Sequence, residues 1–348
     1  MTCYLITYIG PCDLPKKGQS MRYIISCAVA SLAFSLPAVV PALAEVPKVM
    51  TDIHPVHALV AQVMGDLGTP GLLLERGASE HDFQLRPSQA AGLAEAGLVV
   101  WIGPDLTPWL DRALEGIGGD AARLGLLAVP GTVVQGWSED GAHGHEGHDH
   151  GDRKAGADAG HDDHGHDAAH DHAHGGADPH AWLEPENAKV WLGAIAAKLA
   201  ELDPENAAIY AANAEAAVAR VAAVDAEVAA LLEPVKGKPV VVYHDAYGYF
   251  AAHYGLEIFG SVALGDATAP GAARLAELRD GVAGGASVCV FPEAQHDPAL
   301  IEQLAEGTGA KVGAALDPNG SMQEPGPGAW EGTLRALAMA MADCVAAE

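Results

Sequence analysis

One long segment without glycine or an internal proline, residues 204–232, divides this chain into two halves of the same kind. The segment is rich in Ala and Glu, and such good helix formers predict a continuous helix. Pro234 and Gly237 follow it as helix-ending residues. At about 1.5 Å per residue, a helix of this length would span about 42 Å. We therefore expect a stiff helix, 204–233, that joins two lobes.

Short β-rich runs alternate with Ala- and Leu-rich helical patterns on both sides of this segment. Such alternation predicts parallel sheets covered by helices, and hence an α/β fold in each lobe. We place the N-terminal lobe at 45–203 and the C-terminal lobe at 234–348. The expected strands are 49–53, 72–75, 98–102 and 132–135 in the first lobe, and 239–243, 257–262, 287–291 and 311–315 in the second.

The first 44 residues have the pattern of an export signal and not of a folded segment. A basic residue follows Met21, an apolar run covers 23–40, and an Ala-Leu-Ala site ends at Ala44. A membrane anchor would need about 20 unbroken apolar residues, and Pro37 interrupts this run. We expect export to the periplasm with cleavage near Ala44, and Met21 is a better initiator than Met1.

The formal net charge of −27 makes nucleic acid and anionic membrane surfaces poor partners, whereas cations are plausible ones. Beyond the expected signal only Cys289 and Cys344 remain. In an exported protein an even pair of cysteines suggests one disulfide bond, although two buried free thiols are also compatible with the sequence.

A low-complexity segment, residues 141–176, consists almost entirely of His, Asp, Gly and Ala. It has nothing to bury, so we expect a disordered surface loop within the first lobe. Its imidazoles predict several weak metal sites. They belong to His143, His145, His148, His150, His161, His164, His166, His170, His172 and His174.

Outside this loop several strong metal ligands follow predicted strands in both lobes. Ligands in open parallel sheets bind beyond the carboxyl ends of the strands. Imidazole with carboxylate is a donor set that suits zinc. The candidates that follow predicted strands are His81, His244 and Asp317, and a further candidate, His180, follows the acidic loop.

The four other histidines carry weaker expectations. We expect packing or supporting roles for His54 and His57, a solvent-exposed helix face for His253, and a place near the cleft mouth for His296.

The sequence resembles the zinc-uptake members of the metal-binding family of ABC-transporter solute-binding proteins. Six segments carry the resemblance in the family's order, and it covers about residues 46–345. They are Gly-Ala-Ser-Glu-His-Asp-Phe at 77–83, Leu-Arg-Pro-Ser at 85–88, Leu-Val-Val-Trp-Ile-Gly at 98–103, Asp-Pro-His-Ala-Trp-Leu at 178–183, Tyr-His-Asp-Ala-Tyr-Gly-Tyr-Phe at 243–250 and Leu-Asp-Pro at 316–318.

The resemblance implies two Rossmann-like lobes with parallel sheets, joined by a long rigid helix, with a metal cleft between them. It assigns metal ligation to His81, His180 and His244. Because manganese-binding relatives carry Glu at the third position, His244 favours zinc. The fourth ligand stays open between Asp317, Glu80 and a water molecule, since Asn319 departs from the apolar residue usual after Asp-Pro.

The resemblance also implies a disulfide bond between Cys289 and Cys344 in the second lobe. As function it implies capture of Zn²⁺ in the periplasm and delivery to a membrane permease driven by a cytoplasmic ATPase. We expect a monomer that neither enters the membrane nor binds nucleic acid.

Three alternatives remain open at this stage. The first is a binding protein for manganese or another divalent metal in the same fold. The second is a zinc enzyme with Glu80 as base, against which the absence of an HExxH motif argues. The third is a periplasmic zinc buffer or chaperone that acts through the His-rich loop.

Overall fold

A computed structural model of the protein describes residues 46–80, 83–117, 119–136, 176–263, 271–285 and 288–347. All of them lie in one compact unit, Ala44–Glu348. The expected signal region, His81 and most of the His-rich loop lie outside the described residues. The expectations for these segments therefore stay predictions.

The N-terminal lobe is built on a four-stranded parallel sheet in the order β2-β1-β3-β4. Every residue of β3 is buried, as expected for a parallel strand covered on both faces. Asp52, just beyond β1, accepts hydrogen bonds from the backbone N–H groups of Ile53 and Ile102, which ties the ends of β1 and β3 together. The strands are β1 Val49–Thr51, β2 Gly71–Leu72, β3 Leu98–Trp101 and β4 Ala122–Gly125.

The C-terminal lobe repeats this topology with a parallel sheet in the order β6-β5-β7-β8. In both lobes the order in which the chain adds strands to the sheet reverses beside the first strand. Open α/β sheets bind ligands at this point of reversal. In this lobe the reversal lies between β5 and β7. The strands are β5 Val240–His244, β6 Ile258–Ala263, β7 Cys289–Val290 and β8 Lys311–Val312.

Helices cover both sheets. Among the described residues, none of them has both the length and the apolar character that a membrane crossing requires. Their bounds are α1 His54–Met64, α2 Pro87–Ala94, α3 Pro108–Ile117, α4 Pro185–Leu202, α5 Ala207–Leu232, α6 Gly248–Tyr254, α7 Ala272–Ala283, α8 Ala299–Ala305 and α9 Ala329–Ala346.

The predicted joining helix is α5, preceded by a short 3₁₀ turn at Pro204–Asn206. Its buried residues recur every three or four positions, from Tyr210 through Val221 to Leu232, and form one apolar stripe. Through this stripe α5 packs on α1 and α4 of the first lobe and on α9 of the second. One continuous hydrophobic core therefore runs along the helix and through both lobes.

The disulfide bond between Cys289 and Cys344 is present and links β7 to α9, with the Cα atoms 6.3 Å apart. It closes a loop of 55 residues. On the chain-entropy description such a closure stabilises the fold by roughly 4 kcal/mol. The resemblance to the family therefore predicted this pair correctly.

One predicted strand is wrong. Residues 132–135 form no strand, and the fourth strand of the first sheet is Ala122–Gly125. The backbone of Val133 instead exchanges two hydrogen bonds with the side chain of Asn187, and Gln135 N donates to the Tyr249 hydroxyl. These side chains form hydrogen bonds with backbone groups of the extended segment that a neighbouring strand would otherwise have to supply.

Candidate metal centre

Two of the predicted ligands meet at the carboxyl end of β5. His244 is the last residue of β5, and His180 precedes the short 3₁₀ helix Ala181–Leu183. The Nε2 atoms of the two rings are 3.4 Å apart, and the ring centroids are 5.3 Å apart. Both residues are buried. The structure therefore brings together two residues that are far apart in sequence.

Each of these rings is held from behind by a carboxylate. His180 Nδ1 lies 2.7 Å from Asp178 Oδ1, and His244 Nδ1 lies 2.7 and 2.6 Å from the two oxygens of Glu293. Because a carboxylate only accepts, this contact favours a proton on Nδ1 and a lone pair on Nε2. Metal-ligating histidines characteristically have this carboxylate support.

The spacing of the two Nε2 atoms fits zinc. A tetrahedral Zn²⁺ with Zn–N bonds of about 2.0–2.1 Å holds two nitrogens about 3.3–3.4 Å apart. The observed 3.4 Å between His180 and His244 matches this value. With both protons on Nδ1, the two Nε2 atoms can donate their lone pairs to one metal ion.

Glu293 is a central residue that the sequence analysis missed. Its carboxylate is buried and also accepts a hydrogen bond of 2.9 Å from the Tyr247 hydroxyl. Burial alone would raise the pKa of Glu293, but the His244 imidazole and the Tyr247 hydroxyl outweigh it and hold the pKa below its usual value. The signal for this residue was its position just after β7, because the strand-end rule that selected His244 applies equally to Glu293.

The negative charges of three carboxylates act on the buried Tyr247 hydroxyl group. Burial raises its pKa well above the ordinary value, and the negative charges of Glu293, Asp317 and Glu80 raise it further. Both candidates for the fourth ligand thus act electrostatically on the hydroxyl group that contacts Glu293. Asp317 and Glu80 belong to the same charged surroundings of the cleft.

Asp317 is held by the turn that follows it. Its Oδ1 accepts hydrogen bonds from Ser321 N and Gln295 Nε2, at 3.1 and 2.6 Å, and its Oδ2 accepts one from Met322 N at 2.8 Å. Burial raises the pKa of this carboxyl group above its usual value, although these donors oppose the rise. Ligation by Asp317 would therefore replace or share at least one of these hydrogen bonds.

Glu80 is buried at 3% exposure and joins the two lobes. The Asn319 side-chain amide donates a hydrogen bond to its carboxylate, and Trp109 Nε1 donates to its backbone carbonyl at 3.0 Å. The departure at position 319 thus supplies a polar partner for Glu80. Phe83 also packs on Trp109, with ring centroids 4.8 Å apart. The described residues on either side of His81 are therefore both anchored by Trp109.

His54 and His57 are buried within α1, in agreement with the packing roles expected of them. Burial lowers the pKa of His54 to about 4, and His57 Nε2 donates to Pro70 O at 3.1 Å. A neutral ring is the state that such surroundings favour.

The expectation that His253 faces solvent is wrong. Its side chain is 20% exposed and bridges two acidic residues, with Nδ1 2.7 Å from Glu184 Oε1 and Nε2 2.9 Å from Asp225 Oδ1. Glu184 caps the start of α4, Asp225 lies on α5, and His253 lies on α6. The residue therefore connects the C-terminal lobe to the first lobe and to the joining helix.

Comparisons with known proteins agree with this geometry. The family model for ZnuA, described as the periplasmic component A of the zinc-uptake complex, matches residues 49–344. The "High-affinity zinc uptake system protein ZnuA" of Paracoccus denitrificans is 50% identical over 311 residues, which cover 89% of this chain and 95% of that protein. The protein of the same name from Brucella abortus is 37% identical over 312 residues, with 85% and 91% covered.

A solved structure is similar over the same range. The zinc-bound structure of a ZnuA deletion mutant superimposes with a TM-score of 0.68 at 25% identity, and the match covers 87% of this chain and 99% of that one.

Proposed function

Since this chain belongs to the ZnuA family of periplasmic zinc-uptake components, we propose that it captures Zn²⁺ between His180 and His244 for delivery to a membrane importer. The observation that carries the proposal is the 3.4 Å approach of two Nε2 atoms whose rings are each backed by a carboxylate. The protein is a periplasmic transport component and not an enzyme, and Zn²⁺ is its cargo.

His81 supplies the third ligand in this proposal. Its support is the family-matched motif at 77–83 and the anchoring of the flanking residues Glu80 and Phe83 by Trp109. The fourth ligand is Asp317 or Glu80, and both are carboxylates that suit zinc. Replacing each by its amide distinguishes them, because only the ligand's replacement weakens zinc binding strongly.

The partners follow from membership in an uptake complex. We infer a membrane permease with its cytoplasmic ATPase, and a monomeric binding protein with lobes at 45–203 and 234–348 around the helix at 204–233. The mature chain begins after cleavage near Ala44. The His/Asp composition of residues 141–176 supports weak auxiliary zinc sites in the loop.

Calorimetry with a competing chelator tests the proposal on the mature chain. Separate replacement of His81, His180 and His244 by Ala should weaken zinc binding at least tenfold each, or about 1.4 kcal/mol. His143→Ala, which removes one of ten loop imidazoles, serves as the matched control and should leave the tight site unchanged. Wild-type affinity in all three cleft variants would contradict the assignment. Tighter binding of Mn²⁺ than of Zn²⁺ would favour the manganese alternative.

A further inference from the structure

Three potential metal ligands meet on the outer side of His244. Donor atoms of His244, Glu293 and His296 lie within 4.8 Å of one another, and this is the one such group of three among the described residues. A turn closed by the hydrogen bond from His296 N to Glu293 O places both residues just beyond β7. His296 Nε2 lies 3.7 Å from Glu293 Oε2. The ring is fixed by stacking on Tyr243, with centroids 4.2 Å apart.

The three imidazoles form a series from the surface to the buried pair. The side chain of His296 is 33% exposed, that of His244 is 8% exposed and that of His180 is fully buried. The ring centroids are 6.3 Å apart in the first step and 5.3 Å apart in the second. Successive imidazoles therefore lie close enough for a metal ion to pass from the surface towards the buried pair.

The two carboxylate oxygens of Glu293 contact both His244 and His296. Its Oε1 lies 2.7 Å from His244 Nδ1 and 2.9 Å from the Tyr247 hydroxyl, so Oε1 alone can accept both hydrogen bonds. Its Oε2 lies 2.6 Å from His244 Nδ1 and 3.7 Å from His296 Nε2, so metal binding by Oε2 leaves the His244 hydrogen bond to Oε1 alone. Two ligand atoms of a tetrahedral zinc ion lie about 3.3–3.5 Å apart, so a small side-chain rotation brings Oε2 and His296 Nε2 into range.

We propose that Glu293 Oε2 and His296 Nε2 form an outer zinc position, from which Zn²⁺ passes to His244 and His180. The transfer needs no proton movement, because the Nδ1–H group of His244 donates a hydrogen bond to Glu293 Oε1 throughout. The ion leaves one oxygen and one nitrogen, and it gains the two facing Nε2 atoms. Since two zinc ions this close repel each other, the outer position is empty when the inner site is filled. This inference rests on the proposed function of the His180–His244 pair.

Kinetics separate such a position from a structural role. A step on the path that is absent from the final state changes association and dissociation equally and leaves the equilibrium unchanged. On the mature chain, His296→Gln and His296→Phe should therefore slow both zinc association and chelator-driven release by the same factor. The dissociation constant should not change. His296→Phe retains an aromatic ring against Tyr243, so agreement between the two variants assigns the effect to the lost nitrogen.

The control is His253→Gln, which replaces a partly exposed histidine outside the proposed zinc path and should leave both rate constants at wild-type values. Wild-type rates in both His296 variants would overturn the inference. Faster release with weaker affinity would also overturn it, because His296 would then stabilise the bound state. Neither result affects the proposed function, which fails separately if the wild-type chain shows no tight zinc site.

Discussion

The contact between Glu293 and His244 gives the sharpest test of how this site holds metal. The replacement Glu293→Gln conserves size but removes the charge behind His244 Nδ1. In the wild-type chain both carboxylate oxygens lie 2.6–2.7 Å from that nitrogen, and the carboxylate also accepts a hydrogen bond from the Tyr247 hydroxyl. A glutamine has one carbonyl oxygen for these two donors, and its amide group brings protons of its own. We therefore expect a weaker and less well oriented His244 ligand.

The size of the loss follows from the role of such supporting carboxylates. Mutating the outer partner of a metal-bound histidine typically weakens metal binding 10- to 100-fold, or about 1.4–2.7 kcal/mol. The upper end applies if the amide turns its NH₂ group towards His244, because His244 must then place its proton on Nε2 and lose the lone pair that faces the metal. The lower end applies if the carbonyl oxygen keeps the hydrogen bond and only the charge is lost.

Chelator competition with Zn²⁺ measures this effect, and circular dichroism of the metal-free variant checks that it is folded. Asp225→Asn is the matched control, since it alters another histidine–carboxylate pair, with His253, that lies outside the cleft. We expect Asp225→Asn to bind zinc as the wild type does. A folded Glu293→Gln protein with wild-type affinity would refute the reasoning, because the carboxylate would then contribute nothing to the ligand.

Three other predictions follow. Because zinc binds neutral imidazole, whose reference pKa is about 6.5, affinity should fall steeply below about pH 6, and a flat titration between pH 7 and 5 would argue against a histidine site. Deleting residues 143–174 should lower total zinc stoichiometry in calorimetry yet leave one tight site; loss of that site would place it in the loop. The hydrogen bond to Glu184, helped by that to Asp225, raises the pKa of His253 to about 9 against burial. Its stabilisation should be complete below about pH 6.5 and lost as the pH rises through about 9. The difference in melting temperature between wild type and His253→Gln should therefore shrink from pH 6 to pH 10, and a constant difference would exclude this ion pair as its cause.

The sequence predicts the two parallel sheets well because their central strands are continuous apolar runs. The misassigned fourth strand shows the limit of that signal. Residues 132–135 are extended and contain β-branched residues, whereas Ala122–Gly125 contains Ala, Arg and Gly, which are poor strand formers. Pairing with β3 makes this edge segment a strand, and such pairing depends on tertiary structure.

The candidate site likewise contains residues that local sequence predicts and residues that only the tertiary structure identifies. His244 follows from the strand-end rule, and both His180 and His244 follow from the family motifs, which are local in sequence. The carboxylates that contact the two histidine rings are identified by their distances in the folded structure. Asp178 is close to its histidine in sequence, but Glu293 comes from a different strand. His253 was misplaced for the same reason, because neither Glu184 nor Asp225 is near it in the chain.

The connections around the cleft favour the proposed tight site there over one in the loop. Trp182 Nε1 donates to Pro318 O at 2.7 Å, and Trp330 Nε1 donates to Trp182 O at 2.9 Å. These buried bonds tie the segment that carries His180 to the C-terminal lobe within a few residues of the site. These bonds favour a fixed distance between the two Nε2 atoms, whereas a loop site must order its backbone at about 1–2 kcal/mol per residue.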